Sequence, residues 1–427
     1  MPYRIAGIDV HKRMLAVAIA DVAVEEQYVF ERRKFGVGAS ELRSLAAWLV
    51  EQEVQEAVME STAQYWRPLW AELEQHWRPV MQQRPGAGPL SGKLHLAQAH
   101  SNRGPRGRKN DYRDAERIVK RLAAQELVLS YVPDPEQRLW RTLTRRKHQL
   151  TRDKVRFQNR LESLLEQMHI KLSGLVSDLL GVSARRMLQA LADGKTDPAA
   201  VAALADPNLR ATPEQLCDAL EACVEMPAVY RRLLRMELEQ LQFLEEQMAK
   251  LDREIGQLLQ AHSHAVERLA EVPGLGVESA HQIIAEAGPA AAAFPSPKHL
   301  ASWVGVCSGE NISAGQTHSR RSPKGNRNMR RVLNQAAHAA VKMKGTIFEV
   351  VFGRLLRRMD YKKAIWTIAH RLCRLVWKIL HQEVRYQEHG GAVSEKAKQA
   401  RVWRMIRELR KAGYRVDATA QEQPPPA

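Results

Sequence analysis

Apolar positions run almost unbroken from Tyr3 to Asp9, stop at the polar triplet His11-Lys12-Arg13, and resume from Met14 to Ala20. Two such runs around a short polar turn predict a β-hairpin. Gln55 to Glu60 (QEAVME) reads as a third strand, and Arg78 to Gln82 as a fourth. Between these last two, Trp66, Leu69, Trp70 and Leu73 recur at helical spacing after Ser61 or Thr62, either of which suits a helix N-cap. Residues 84–110 are rich in Gly, Pro, Arg and Lys without periodicity, and read as a basic loop. A helix then starts at Asp111, with Asp114, Ile118 and Leu122 along one side. The first part of the chain is therefore expected to be α/β.

Val132-Pro133-Asp134-Pro135 marks a boundary, and beyond it the pattern is almost wholly helical. Leu234, Leu241, Met248 and Ile255 repeat every seven residues, interleaved with Leu244, Leu251 and Leu258. Such a seam fits a coiled coil that joins two chains, and fits equally a helix facing the core of its own bundle. Pro273-Gly274-Leu275-Gly276 is a tight turn into a helix, the arrangement by which a helix-hairpin-helix offers backbone N–H groups to a phosphate. A Gly/Ser-rich loop from Gly305 to Gly325 precedes helices from Arg327 to about Tyr386, and Glu395 to Lys411 forms one amphipathic helix before a Pro-rich end. The expected division is 1–132, 133–265, 266–386 and 387–427.

Charge changes the picture more than composition does. The 427 residues hold 65 Lys+Arg against 48 Asp+Glu, a formal charge of +17, which calls for a polyanionic partner. The excess collects at 103–109, 138–160 and 320–344. Candidate nucleic-acid contacts follow: Arg106, Arg108 and Lys109 in the first cluster, Arg145, Arg146, Lys147, Arg152 and Arg156 in the second, the turn glycines Gly274 and Gly276, and Arg320, Arg321, Lys324, Asn326, Arg327, Arg330 and Arg331 in the third. No long uncharged apolar run suggests a membrane span or a signal peptide, and the four cysteines (Cys217, Cys223, Cys307, Cys373) form no zinc-type spacing. A soluble, cytoplasmic protein is expected.

Four carboxylates carry candidate chemistry. Asp9 and Glu60 end predicted strands, where acids of an α/β sheet converge at one edge, and Asp111 and Asp114 share a helix face. Acids without zinc-type ligands suit a hard cation, Mg²⁺ or Mn²⁺, whose pairing serves phosphodiester chemistry. The competing reading makes Asp111 and Asp114 first-turn acids favoured by the helix dipole. Asp9 is harder to explain that way, because an unpaired acid in an apolar strand is costly. Ser313 lies among small residues at the head of a stretch, 311–348, that holds eight Lys/Arg and no acid. A serine there is either structural or a nucleophile toward a phosphodiester.

The motifs GIDVHKR, VMESTAQYWRPLW and KNDYRDAERI, followed by VPGLG, LASWVGVCSGENISAGQTHSRRSPKGNRNMRRVLNQAAHAA and KKAIWTIAHRL, resemble the insertion sequence one-ten family of transposases over nearly the whole chain. The resemblance implies a RuvC/RNase H-like N-terminal domain, then coiled-coil and helical transposase domains. It assigns Asp9, Glu60, Asp111 and Asp114 to the metal-binding DEDD set and Ser313 to the nucleophile. It further implies donor and target DNA, a bridge RNA as guide, and a homodimer, or a tetramer on DNA, whose acids and serine come from different subunits. A junction nuclease using water, and a non-catalytic basic scaffold, are the alternatives.

Overall fold

The first two apolar runs form an antiparallel hairpin, β1 (Arg4–Val10) and β2 (Met14–Asp21), paired from Arg4 opposite Asp21 to Val10 opposite Leu15. It belongs to a computed structural model that describes residues 3–23, 28–61, 63–99, 110–307, 309, 311–313, 316–319, 322–388 and 403. The chain divides into two units, residues 1–133 and 134–427. In the first, β3 (Glu31–Gly36), β4 (Glu56–Glu60), β5 (Lys93–Ala97) and β6 (Leu129–Ser130) complete a mixed sheet of order β3-β2-β1-β4-β5-β6. β1, β4 and β5 pair in parallel, and the flanking pairs are antiparallel.

Strand periodicity sorts side chains between two cores. Ala6, Ile8 and Val10 face one side, where α1 (Ala39–Glu51) and the helical run 66–83 bring Leu45, Leu49, Leu69, Leu73 and Trp77. Ile5 and Val58 face the other, against Ile118 and Val119 of the helix Asp111–Ala123. The run 66–83 consists of α2 (Trp66–Glu72), a π-helical turn (Leu73–Trp77) and α3 (Arg78–Gln83). α3 corrects the strand expected at Arg78 to Gln82. Leu73, Trp77 and Met81 are buried at four-residue spacing, so helical period prevails over a short apolar run. The inner strand is instead β5, within the stretch read as loop; its buried Leu94, Leu96 and Ala97 are hidden among flanking glycines and cations.

In sequence order the helix Asp111–Ala123 is α4. The second unit begins with α5 (Pro135–Gln167), whose N-cap Asp134 accepts from the Gln137 N–H at 2.8 Å. α6 (Val182–Ala192), α7 (Pro198–Ala202) and α8 (Pro213–Leu220) pack with α5 around Phe157, Leu161, Met187, Leu191 and Leu220. α9 (Ala228–Leu258) returns antiparallel to α5, with Lys154 Nζ 2.6 Å from Glu245 and Arg160 2.6 Å from Gln240. Leu234, Leu241 and Ile255 of the heptad seam are buried within this one chain, and Leu244, Met248, Leu251 and Leu258 half-buried, which favours the core-facing alternative. No helix among the described residues is long and apolar enough to cross a membrane.

The remaining elements are α10 (Ser263–Ala270), α11 (Val277–Ala287), α12 (Pro297–Val304), a hairpin of β7 (Asn311–Ser313) and β8 (Gln316–Ser319), α13 (Arg327–Ala340), α14 (Ile347–Leu355) and α15 (Tyr361–His381). The expected tail helix, Glu395 to Lys411, lies outside the described residues except for Trp403. Glu286, near the end of α11, ties three helices together. Its carboxylate is 2 % exposed and accepts both donors of Arg145 at 2.8 Å, Asn326 at 2.8 Å and Asn328 at 3.0 Å. Arg141 of α5 meanwhile donates to the backbone carbonyls of Ala285 and Glu286 at 3.1 and 2.5 Å.

Burial pushes the Glu286 carboxyl upward, but Arg145, Arg141 and Asn326 outweigh it and hold the pKa below its usual value. A group with a depressed folded-state pKa stabilises the fold above its unfolded-state value and loses that contribution as pH falls through the folded one. Urea unfolding of Glu286→Ala should therefore show a loss of about 3–5 kcal/mol near neutrality, because two guanidinium groups lose their anion. Glu286→Gln should flatten the acid limb of the wild-type stability profile.

Candidate active site

The first unit places α4 directly on β1, and one glycine makes this possible. A Cβ built on Gly7 would lie 2.2 Å from the Ala115 carbonyl oxygen and 2.7 Å from Val119 Cγ2. With no side chain at Gly7, the helix backbone rests on the strand. Asp9 lies two residues farther along the same strand face, and Asp111 and Asp114 occupy the first turn of α4, ahead of Ala115. Asn110 fixes that turn, its side chain accepting from the Tyr112 N–H at 3.1 Å. Glu60 pairs directly with Asp9 in the parallel β1–β4 register, so both carboxylates share the α4 side of the sheet.

Within this set the four acids divide into two pairs, each joined by a base. His11 Nε2 lies 3.0 Å from Asp9 and 3.4 Å from Asp111. Arg117, one turn beyond Asp114, donates to Asp114 and approaches Glu60 Oε2 at 3.6 Å. Burial raises the Asp9 pKa, opposed by His11 and reinforced by the charges of Asp114 and Asp111. Burial likewise raises that of Glu60, opposed by Arg117 and reinforced by Asp9 and Asp114. Asp9 thus feels both α4 acids across the site, and Glu60 feels Asp114.

This donor set fits a divalent cation. Glu60 Oε2 is buried without a hydrogen-bond partner, and clustered carboxylates with raised pKa values gain from a cation between them. One ligand atom each from Asp9, His11 and Asp111 lies within 4.8 Å of the others. Sequence reasoning missed His11, taken as a turn residue, and Arg117. The available signals were positional: His11 is two residues past Asp9 in a tight hairpin, and Arg117 one helical turn past Asp114.

In the second unit Ser313 ends β7, with its backbone opposite Gln316 of β8. The loop carrying this hairpin is closed at its base. Arg330 donates to the carbonyls of Gly305 and Pro323 at 3.0 and 2.7 Å, and its guanidinium lies 4.7 Å over the Trp366 ring. Trp366 donates to Ser322 at 2.9 Å, and the Asn326 N–H to the Trp303 carbonyl at 3.1 Å. A Cβ on Gly325 would lie 2.2 Å from the Val304 carbonyl, so any larger residue there would push the two loop ends apart.

The proposed nucleic-acid residues sort by partner. Arg145 and Asn326 serve Glu286, Lys147 pairs with Asp252 and with Glu278 at 3.1 Å, and Arg330 holds the loop. Arg331 donates to Gln282 and Gln335 at 2.5 and 3.2 Å. Arg146, Arg152, Arg156, Lys324 and Arg327 are exposed. Gly274 packs against α13, where a Cβ would lie 2.3 Å from the Ala336 carbonyl, whereas Gly276 faces open space before α11. Arg106, Arg108, Lys109, Arg320 and Arg321 lie outside the described residues.

Comparison with known proteins agrees with this arrangement. Residues 6–170 match the DEDD_Tnp_IS110 transposase family, and residues 266–350 match the Transposase IS116/IS110/IS902 family. The chain is 27 % identical over 292 residues to a "Probable family 20 transposase" of Pseudomonas aeruginosa, covering 66 % of this chain and 75 % of that protein. It is 26 % identical over 153 residues to an "Insertion element IS110 uncharacterized 43.6 kDa protein" of Streptomyces coelicolor, covering 36 % of this chain and 37 % of that one. With the DEDD region and the second family region matched in order on one chain, the protein is similar to the IS110 family of transposases.

Proposed function

We propose that this chain is a transposase that cleaves and rejoins DNA strands, with Asp9, Glu60, Asp111 and Asp114 holding Mg²⁺ or Mn²⁺ and Ser313 acting as nucleophile. The observation that carries the reading is the convergence of the four carboxylates across the β1–β4 register and the first turn of α4, with a buried Glu60 oxygen that accepts no hydrogen bond and has only the Arg117 guanidinium at 3.6 Å. The sheet order supports a RuvC/RNase H-like N-terminal domain. The divalent ion, when bound, polarises the scissile phosphate and stabilises charge on the oxygens that attack and leave.

The chain's own groups do the rest. His11 orients Asp9 and Asp111, and Arg117 keeps Glu60 and Asp114 from repelling one another. The closed base of the serine loop presents Ser313 on a short hairpin. Attack by the Ser313 hydroxyl forms a serine–phosphate bond as one P–O bond of the DNA backbone breaks, and reversal onto a new strand end restores the phosphodiester. The family resemblance further supports donor and target DNA and a bridge RNA as partners. It also supports a homodimer, or a tetramer on DNA, whose acids and serine come from different subunits, acting in the cytoplasm at the nucleoid. Similarity to transposase families in both regions favours this reading over a resolvase that uses water or a non-catalytic scaffold.

Asp9 and Glu60 have folded-state pKa values above their unfolded ones, so their ionisation opposes the metal-free fold at neutral pH, and the penalty fades as pH falls through the folded values. Thermal melting should show Mg²⁺ or Mn²⁺ raising the wild-type midpoint, with chelator reversing the gain. Asp9→Asn should melt no lower than wild type without metal and lose the metal-induced rise; a full rise in that variant refutes the metal assignment. Ser313→Ala should bind DNA normally yet form no covalent protein–DNA adduct on denaturing gels. An adduct that survives the substitution would falsify the serine mechanism, and free DNA ends from the wild type would indicate attack by water.

A further inference from the structure

A groove of about 530 Å³ runs between α5, α11 and α13, away from both the acidic site and the serine hairpin in sequence. Its walls carry His148, Arg152 and Arg156 from α5, Glu278 and Gln282 from α11, and Arg331 from α13. Arg331 is half-buried, and its only hydrogen-bond partners among the described residues are the side-chain amides of Gln282 and Gln335. Its Nε is buried with no partner. Arg152 has no ion pair among the described residues, and the His148 ring has no hydrogen bond. The single acid of the lining, Glu278, is engaged by Lys147 at 3.1 Å. Arg156 reaches only its half-buried neighbour Asp153, at 3.1 Å.

A desolvated guanidinium with no carboxylate at ion-pair distance is costly; Glu278 and Glu286 act on Arg331 only from farther off and burial still outweighs them, so three cations on one concave surface leave room for an anion. We propose that this groove binds the phosphodiester backbone of duplex DNA, with Arg152, Arg156 and Arg331 gripping phosphate oxygens and His148 supplying a further donor. The inference rests on the reading of this chain as a DNA-acting transposase, and adds the place where the duplex is held. Phosphate oxygens match the planar fork of arginine, and Gln282 holds one Arg331 donor in the groove for them.

His148 makes the grip proton-linked. Burial lowers its pKa, as do Arg331 on α13 and Arg152 on its own helix, while Glu278 on α11 opposes them. The free groove therefore favours the neutral imidazole. An incoming phosphate cancels the arginine charges, raises the proton affinity of the ring, and draws a proton onto it. Binding with proton uptake strengthens as pH falls through the histidine range, about pH 8 to about pH 5.

The test is fluorescence anisotropy of the full chain with a non-specific DNA duplex and an RNA duplex of the same sequence, in chelator so that no strand is cut. Arg152→Gln and Arg331→Gln are each expected to lower the slope of log affinity against log salt by about 1. His148→Gln is expected to keep the affinity at high pH and lose its rise toward low pH. Arg152 is exposed, so its variant remains decisive even where Arg331→Gln fails to fold. Unchanged slopes beside normal wild-type binding overturn the groove while leaving the transposase reading intact. No wild-type binding to DNA at all strikes that reading itself. A wild-type pH response in His148→Gln overturns the proton linkage, and tighter binding of the RNA duplex, lost in the same variants, overturns the assignment to DNA.

Discussion

The close seating of α4 on β1 governs the acidic site. Four carboxylates repel one another, and nothing intrinsic to a strand or a helix would hold them together. The contact is set by apolar packing of Ile118 and Val119 against Ile5 and Val58, with Gly7 allowing backbone to meet backbone. Because interiors are close-packed, one methyl group at Gly7 would displace the helix and carry Asp111 and Asp114 with it. Electrostatic strain is thus imposed by packing and relieved locally by His11 and Arg117.

The second unit uses the opposite device. There a single buried carboxylate, Glu286, draws positive and amide groups from α5 and from the start of α13. Asn326 belongs to this hub and also closes the serine loop, so the position of the loop base and the packing of α11 on α5 are one arrangement. Polar networks of this kind specify a unique core only when every member is satisfied, and here both carboxylate oxygens are.

Much of this was legible in the chain itself. Dense apolar runs gave the β1–β2 hairpin and β4, and amphipathic spacing gave α4, because in these segments burial follows the local period. β3 was not legible, since Glu31 to Lys34 are charged and its pairing to β2 is a long-range property. β5 was obscured by its basic surroundings, and α3 by a short apolar run that belongs to a longer helical face. Asp9, Glu60, Asp111 and Asp114 were identified as a group from strand ends and helix spacing. Their division into two base-linked pairs depends on tertiary contacts no spacing encodes. The same holds for Glu286, whose partners lie some 40 to 140 residues away.

The charged strand β3 has a consequence for how the protein behaves in concentrated solution. It forms one outer edge of the sheet, and four successive exposed side chains, Glu31 to Lys34, decorate it, while the other edge is the two-residue β6. An open sheet presents unpaired backbone groups that invite a foreign strand, and charge or brevity at the edge removes the invitation. Arg32 is further held by Glu116 at 2.6 Å, and the Arg33 guanidinium covers Phe35 at 4.8 Å. The sheet that carries the acids is therefore protected from the strand addition by which open sheets aggregate.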